Sequence, residues 1–206
     1  MIKETGQSFE QYCEKVSLII EEVPVNSDYP ASVAGAVLLT HGRLQEEAPG
    51  AAVLAELCAW LAPEGLEEEL FAGAVASETW EKLDRNRVTP EVWALLEDAQ
   101  ARRAGFKGLR RWSVITGAGD MHRLTQTVLR AHGGQPMAES AAAVLAAQFP
   151  AKPSHEAVWT DCRRLMPHVR ALWSGAEPLW RGDWGQPGWA AMDYLLNQAG
   201  LFLWKQ

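Results

Sequence analysis

Histidine is the side chain most suited to acid–base or ligand chemistry near neutral pH, and this 206-residue sequence has five of them. His122 stands out because it lies where a glycine turn meets an apolar helical pattern. A neutral imidazole at such a place can donate to a phosphate oxygen, and the N-terminus of the following helix adds positive potential. A helix cap or a packed core histidine is the more common occupant of such a junction.

The other histidines are His41, His132, His155 and His168, and none has an acid or a nucleophile at a diagnostic spacing. No His-Glu-x-x-His pattern occurs either. The run from Glu67 to Glu69 is typical of a solvated helix face. These residues therefore predict no hydrolytic or metal chemistry.

Phosphoryl transfer needs a glycine-rich phosphate loop and an acidic residue that holds a metal ion. The segment most similar to such a loop, Gly105 to Gly108, contains glycine and lysine but follows a helical pattern and lacks the required Ser or Thr. We therefore expect the chain not to be an enzyme by itself.

Charge and cysteine usage limit the partners and the compartment. A formal charge of -7 argues against sequence-independent binding to nucleic acid, which requires a basic face. The one basic run, Arg102 to Arg111, is typical of a solvated helix end. Cys13, Cys58 and Cys162 form no metal or disulfide pattern. With no membrane span or signal peptide in the sequence, we expect a cytoplasmic protein without a membrane partner.

The elements around His122 suggest a particular fold. The stretch from Trp112 to His132 contains β-branched residues, a turn at Gly117–Asp120 and then apolar residues at helical spacing. We interpret it as a small β-hairpin followed by a helix. Helices precede it, so the element order predicts a winged-helix domain within a mainly α-helical chain.

Proline and glycine divide the rest of the chain into helices. Pro49–Gly50 and Gly133–Gly134 predict breaks, and Thr89–Pro90 predicts a helix start. We also expect a kink or break at Met166–Pro167 and a loop from Gly175 to Gly188. The abrupt start MIKETG and the uncapped last helix suggest that the chain is a fragment of a longer protein.

Several segments, in order and spacing, resemble the region behind the ATPase core of bacterial NB-ARC proteins, which are STAND-class signalling NTPases. They are DYPASVAGAV, LCAWLAPEGLEEELF, LRRWSVITGAGDMHRLTQTVLR and WTDCRRLMPHVRALW. The resemblance implies the end of a helical subdomain at residues 1–26, a winged-helix domain at 27–133 and an α-helical arm of tetratricopeptide-like character at 134–206.

The resemblance also implies a nucleotide contact. Met121, His122 and Arg123 stand where the family carries a Met-His-Asp-like motif, whose histidine reaches the β-phosphate of ADP. Arg123 departs from that motif. No cofactor is expected in the chain alone, ADP or ATP would bind the intact parent, and the parent's own nucleotide-binding domain would be the partner.

Three functions remain open from the sequence. The first is a non-catalytic regulatory fragment that holds a parent NTPase in its ADP-bound inactive state. The second is a DNA-binding winged-helix regulator, although the helix predicted at Thr89–Ala104 carries acidic residues and has its basic residues only at its end. The third is a helical-repeat scaffold that binds a protein partner through its Trp-rich C-terminal part.

Overall fold

The structure is a computed structural model that describes residues 31–81, 85–180 and 190–205. Within these ranges it contains nine α-helices and two short 3₁₀ turns, and no β-strand. The mainly α-helical prediction is therefore confirmed. The helices are α1 (Ala31–Glu47), α2 (Pro49–Ala59), α3 (Glu68–Val75), α4 (Glu78–Glu81), α5 (Pro90–Glu97), α6 (Ala99–Arg111), α7 (Arg123–Gln148), α8 (Trp159–Trp180) and α9 (Ala190–Trp204), and the 3₁₀ turns are Arg85–Arg87 and Glu156–Val158.

The central helix is α2, which packs against α1, α5, α6 and α7. It begins with Pro49, and most of its residues are small or apolar and buried. The neighbouring α6 approaches closely because two of its residues have no Cβ. A Cβ at Gly105 would lie 2.6 Å from Leu54, and one at Gly108 would lie 2.8 Å from Ala51. Glycine therefore permits a helix–helix distance that a larger residue would increase.

The longest helix, α7, changes direction at Gly134, which has the positive φ of 59°. Pro136 follows two residues later. The predicted interruption of the helix at Gly133–Gly134 is therefore confirmed. The second half of α7 is a nearly continuous run of buried alanines with Val144 and Leu145, and α7 as a whole packs against α8 and α9. One hydrophobic cluster extends from Leu44 to Phe202 and includes residues on both sides of the bend.

The predicted division into domains stays a prediction. Its first segment, 1–26, lies outside the described residues, and its boundary at 133/134 falls on the bend in α7.

The predicted β-hairpin after Trp112 is wrong, because all of these residues are described and none forms a strand. The backbone N–H of Val114 donates back to the carbonyl of Leu109 at 2.9 Å, at the end of α6. Asp120 and Thr116 close a compact turn instead of a ladder. The segment from 112 to 122 is therefore a connection between helices. The β-hairpin that would form the wing of a winged-helix domain is not present in it.

Two helix boundaries also differ from the predictions. The helix predicted at 89–104 is divided at Asp98, whose carboxylate accepts hydrogen bonds from the backbone N–H of Gln100 and Ala101 and so begins α6. By contrast, α8 has no break at Met166–Pro167 and continues through Pro167 and Pro178 to Trp180. Pro167 is exposed, so water can satisfy the carbonyl that lacks a helical donor. The loop predicted from Gly175 is helical up to Trp180.

No helix in the described ranges combines the length and the apolar character that a membrane crossing requires.

Candidate functional site

His122 is exposed and is the N-cap of α7. Its Nδ1 accepts a hydrogen bond from the backbone N–H of Leu124 at 3.1 Å. In a neutral imidazole whose Nδ1 accepts, the proton is on Nε2. The ring therefore caps the helix with one nitrogen and has a donor on the other, so both interpretations offered by the sequence are compatible with this geometry.

The two neighbours of His122 differ in their exposure. Met121 is only 2% exposed and belongs to the hydrophobic core, and its backbone N–H donates to the carbonyl of Pro63 at 2.7 Å. Arg123 is exposed at the first position of α7. The structure thus makes His122 and Arg123 available to a ligand, while Met121 anchors the connection. The assignment of these three residues to a nucleotide stays a prediction.

A cavity of about 930 Å³ lies beside this helix start, between α7, α8 and the connection from α2 to α3. Four arginines line it, Arg123 and Arg130 from α7 and Arg164 and Arg170 from α8, and we call it the arginine cleft. A second depression adjoins it and shares Pro63, Glu64 and Arg123 with it; its other lining residues are Asp120, Met121 and His122. The predicted residues and the arginine cleft therefore form one continuous surface.

Three of the four arginines are available for a ligand. Arg123, Arg164 and Arg170 are exposed, and none of them forms an ion pair with a carboxylate in the described ranges. Guanidinium groups bind carboxylates and phosphates through paired N–H donors. The wall formed by α7 and α8 is therefore suited to an anion.

Arg130 has a structural role at the base of the arginine cleft. Its Nε donates to the carbonyl of Ala59 at 2.6 Å, near the C-terminus of α2, and its guanidinium lies 5.9 Å from the centre of the Trp60 ring. Burial lowers the pKa of Arg130, but an arginine keeps its proton at neutral pH. Gly175 of α8 leaves room for it, since a Cβ there would lie 3.1 Å from Arg130 Nη1.

His168 supplies an uncharged donor to the same cleft. It is 5% exposed, and its Nδ1 accepts a hydrogen bond from the backbone N–H of Ala62 at 3.2 Å. Burial, and secondarily the charge of Arg164, lowers the pKa of His168 from 6.5 to about 4. The ring is therefore neutral at pH 7 and its proton is on Nε2.

Acidic residues of α3 and of the connection before it also line the arginine cleft. Glu64, Glu67 and Glu69 line it, and all three are exposed. A ligand that fits this arrangement combines negative charge with hydrogen-bond donors.

Among the residues of the arginine cleft, sequence reasoning identified only Arg123 as a candidate ligand contact. Arg130, Arg164 and Arg170 occupy polar positions of ordinary amphipathic helices, and helical spacing alone does not show which cavity they face. The sequence predicted a kink or break at Met166–Pro167. The next residue, the buried His168, instead lies within α8 and accepts a hydrogen bond from Ala62 N–H, just beyond the end of α2.

In comparisons with protein-family models, curated protein sequences and solved structures, the chain has no significant match.

Proposed function

We propose that the protein is a non-catalytic regulatory module that contacts the phosphates of ADP held by a separate nucleotide-binding domain. The observation that carries this proposal is the convergence of Arg123, Arg164 and Arg170, all without carboxylate partners, on a cleft beside the N-terminus of α7. Helix N-termini and arginines both stabilise phosphate groups. His122 would add a donor at the same helix end.

The chemistry of the whole arginine cleft fits a nucleoside diphosphate better than inorganic phosphate. Phosphates would lie against the wall of α7 and α8, and the Nε2–H of His168 would donate without adding charge. Carboxylates such as Glu64 and Glu67 accept hydrogen bonds from ribose hydroxyls, a contact that acidic residues make in many nucleotide sites. Such a ligand would be an inhibitory bridge between domains, and its loss would release this module.

The proposed role is binding and not turnover. The chain has no glycine-rich phosphate loop that would cradle a transferred phosphoryl group, and the arginine cleft offers donors and carboxylates without an activated nucleophile. A cytoplasmic location suits nucleotide binding. It also suits Cys58 and Cys162, which are buried free thiols of the described part of the chain.

Titration of the chain with ADP, followed by two-dimensional amide NMR, tests the proposal even if binding is weak. We expect shifts at the start of α7 and along α8, with ADP binding more tightly than adenosine. Arg164→Ala should reduce the affinity by at least about tenfold, because a hydrogen-bonded charge pair is worth about 1.5–3 kcal/mol.

Arg163 offers a matched control, because it is the adjacent arginine on α8 and does not line the arginine cleft. It contacts the Trp159 ring, with a guanidinium–centroid distance of 5.8 Å. Arg163→Ala should leave ADP affinity unchanged. Equal affinities for ADP and adenosine, or equal losses in the two variants, would contradict the proposal.

A second candidate function, a scaffold that binds a protein partner, is favoured by one observation. The C-terminal turns of α9 expose Leu201, Leu203 and Trp204, with Trp204 76% exposed. Exposed apolar groups at an edge are typical of contact surfaces. Binding to a duplex has less support, because Arg102 of the basic run is buried and donates to the carbonyl of Leu96.

A further inference from the structure

Three side chains that could bind a metal ion meet on the side of α2 that faces α1 and α7. His41 belongs to α1, Glu56 to α2 and His132 to α7. One nitrogen or oxygen atom of each lies within 4.8 Å of the others. His41 Nε2 is 2.8 Å from Glu56 Oε1, and His132 Nε2 is 3.7 Å from the same oxygen.

The backbone of α7 is shaped to bring His132 to this position. The next residue, Gly133, approaches α2 so closely that a Cβ on it would lie 3.3 Å from Glu56 Oε2. Gly134 then adopts its positive φ of 59°, and the helix turns away. The two imidazole rings meet edge to face with their centres 4.7 Å apart. The cluster is therefore positioned by the bend in α7.

An ordinary hydrogen bond does not explain the contact between His41 and Glu56. The His41 side chain is 3% exposed, and its Nε2 forms no hydrogen bond within the described ranges despite the short distance to the carboxylate. The N–H and the oxygen are close but not aligned. A buried polar nitrogen without a partner is costly, so such atoms usually have a partner of some kind.

Two of the three separations are close to those of ligands around one ion, and the third is within 4.8 Å. Nitrogen and oxygen ligands of zinc lie about 2.0–2.2 Å from the metal, so two ligands of a tetrahedral site are about 3.3 Å apart. The distances of 2.8 and 3.7 Å lie on either side of that value. Two imidazoles and one carboxylate are also a common donor set for zinc sites that keep one position open.

We infer that His41, Glu56 and His132 form a binding site for a divalent transition metal ion, with Zn²⁺ as the first candidate. The ion would join α1, α2 and α7 at one point. His132 keeps 44% of its side chain exposed, so a water molecule can occupy the fourth position. The site does not depend on the arginine cleft, because the two share no residue.

Titration of the chelator-treated chain with Zn²⁺, with any purification tag removed, tests this inference. We expect one tightly bound ion per chain and a rise in the melting temperature that a chelator reverses. His132→Ala should weaken Zn²⁺ binding at least about tenfold. This variant should fold, because it shortens a half-exposed side chain, and circular dichroism checks that it does.

His155 provides the matched control, since it is exposed and far from the cluster in the chain. His155→Ala should bind Zn²⁺ as the unchanged protein does. Replacement of Zn²⁺ by Co²⁺ should give the visible absorption of a tetrahedral site, which His132→Ala should abolish. Affinity equal in the unchanged protein and His132→Ala would overturn the inference, as would competition by Mg²⁺, which prefers oxygen ligands.

Discussion

His122 illustrates how one residue can have two separable roles. Its Nδ1 caps α7, whereas its Nε2 is the atom proposed to reach a phosphate. Substitution can separate these roles, because asparagine is a good N-cap and alanine is not.

We expect His122→Ala to lower the free energy of unfolding by about 0.5–2 kcal/mol and His122→Asn to change it little, as measured by urea denaturation. Both variants should weaken ADP binding, because both lose the imidazole donor. In a protein that joins this chain to its nucleotide-binding domain, both substitutions should raise the basal activity of that intact protein. If the asparagine variant retains ADP and basal activity does not rise, His122 is only a cap.

His168 should make stability depend on pH. Its pKa is about 4 in the folded protein and 6.5 as its ordinary value. The unfolded chain therefore takes up a proton first as the pH falls, and stability is lost between pH 6.5 and about 4. The loss from this one group is at most about 3–4 kcal/mol.

His168→Asn is the comparison for this pH effect, because an amide oxygen can still accept from Ala62 N–H but does not titrate. Urea denaturation at several pH values should show a smaller loss of stability for the variant over that window. Identical pH profiles would show that burial of His168 does not depress its pKa.

At the level of single residues, the sequence indicated that His122 lies at a helix start but not which neighbours surround it. His41 and His132 were dismissed because they have no diagnostic spacing, and nothing in the sequence singled out Glu56. Their proximity depends on the packing of three helices, and that information is absent from any local pattern. The arginines of the arginine cleft were missed for the same reason.

Among the elements, the connection from 112 to 122 determines how the start of α7 is placed. It is held to the connection between α2 and α3 by two backbone hydrogen bonds, from Leu66 N–H to the carbonyl of Gly119 at 2.9 Å and from Met121 N–H to that of Pro63. Gly119 has a φ of 80°, and a Cβ on it would lie 2.8 Å from the carbonyl oxygen of Leu66. Only glycine fits this contact without movement of the backbone.

We expect Gly119→Ala to destabilise the protein by at least about 1–2 kcal/mol, because both the backbone angle and the contact with Leu66 oppose a Cβ. Gly117 lies in the same turn, but a Cβ on it would meet nothing within 4 Å. Gly117→Ala should therefore change the free energy of unfolding by no more than about 0.5 kcal/mol. Equal effects of the two substitutions in chemical denaturation would be inconsistent with this close approach.

Helix boundaries that depend on local chemistry were predictable, and those that depend on packing were not. Thr89 and Pro90 begin α5 as expected, with the Thr89 side chain accepting from Val92 N–H. The prediction of a hairpin was wrong because β-branched residues only favour an extended backbone, and a β-strand also needs a second strand to pair with. Here the N–H of Val114 donates to the carbonyl of Leu109 at the end of α6, so it does not pair with a second strand. The prediction of a break at Pro167 was also wrong. There the helix continues, because packing of the buried face of α8 outweighs one lost hydrogen bond.

For the molecule as a whole, the hydrophobic cluster continues into the last helix. Phe202 of α9 is 2% exposed and belongs to the same cluster as Leu44 of α1. A shared core predicts that the described helices unfold together.

We expect Phe202→Ala to cost about 3–5 kcal/mol and to lower the temperature of one common unfolding transition. Leu203 is the next residue and is 49% exposed, so Leu203→Ala should have an effect within about 0.5 kcal/mol. Calorimetry distinguishes the outcomes. Separate transitions, with only one displaced by Phe202→Ala, would show that α9 does not share the core of α1.

The bend at Gly134 also has a geometric consequence. The part of α7 before it, residues 123–133, is a rod about 15 Å long at 1.5 Å per residue. A rotation of about 10° at the bend would displace the far end of this rod by about 2.6 Å, close to the length of a hydrogen bond. Arg123 is at that far end, so the backbone angles of Gly134 affect the distance between its guanidinium and those of α8.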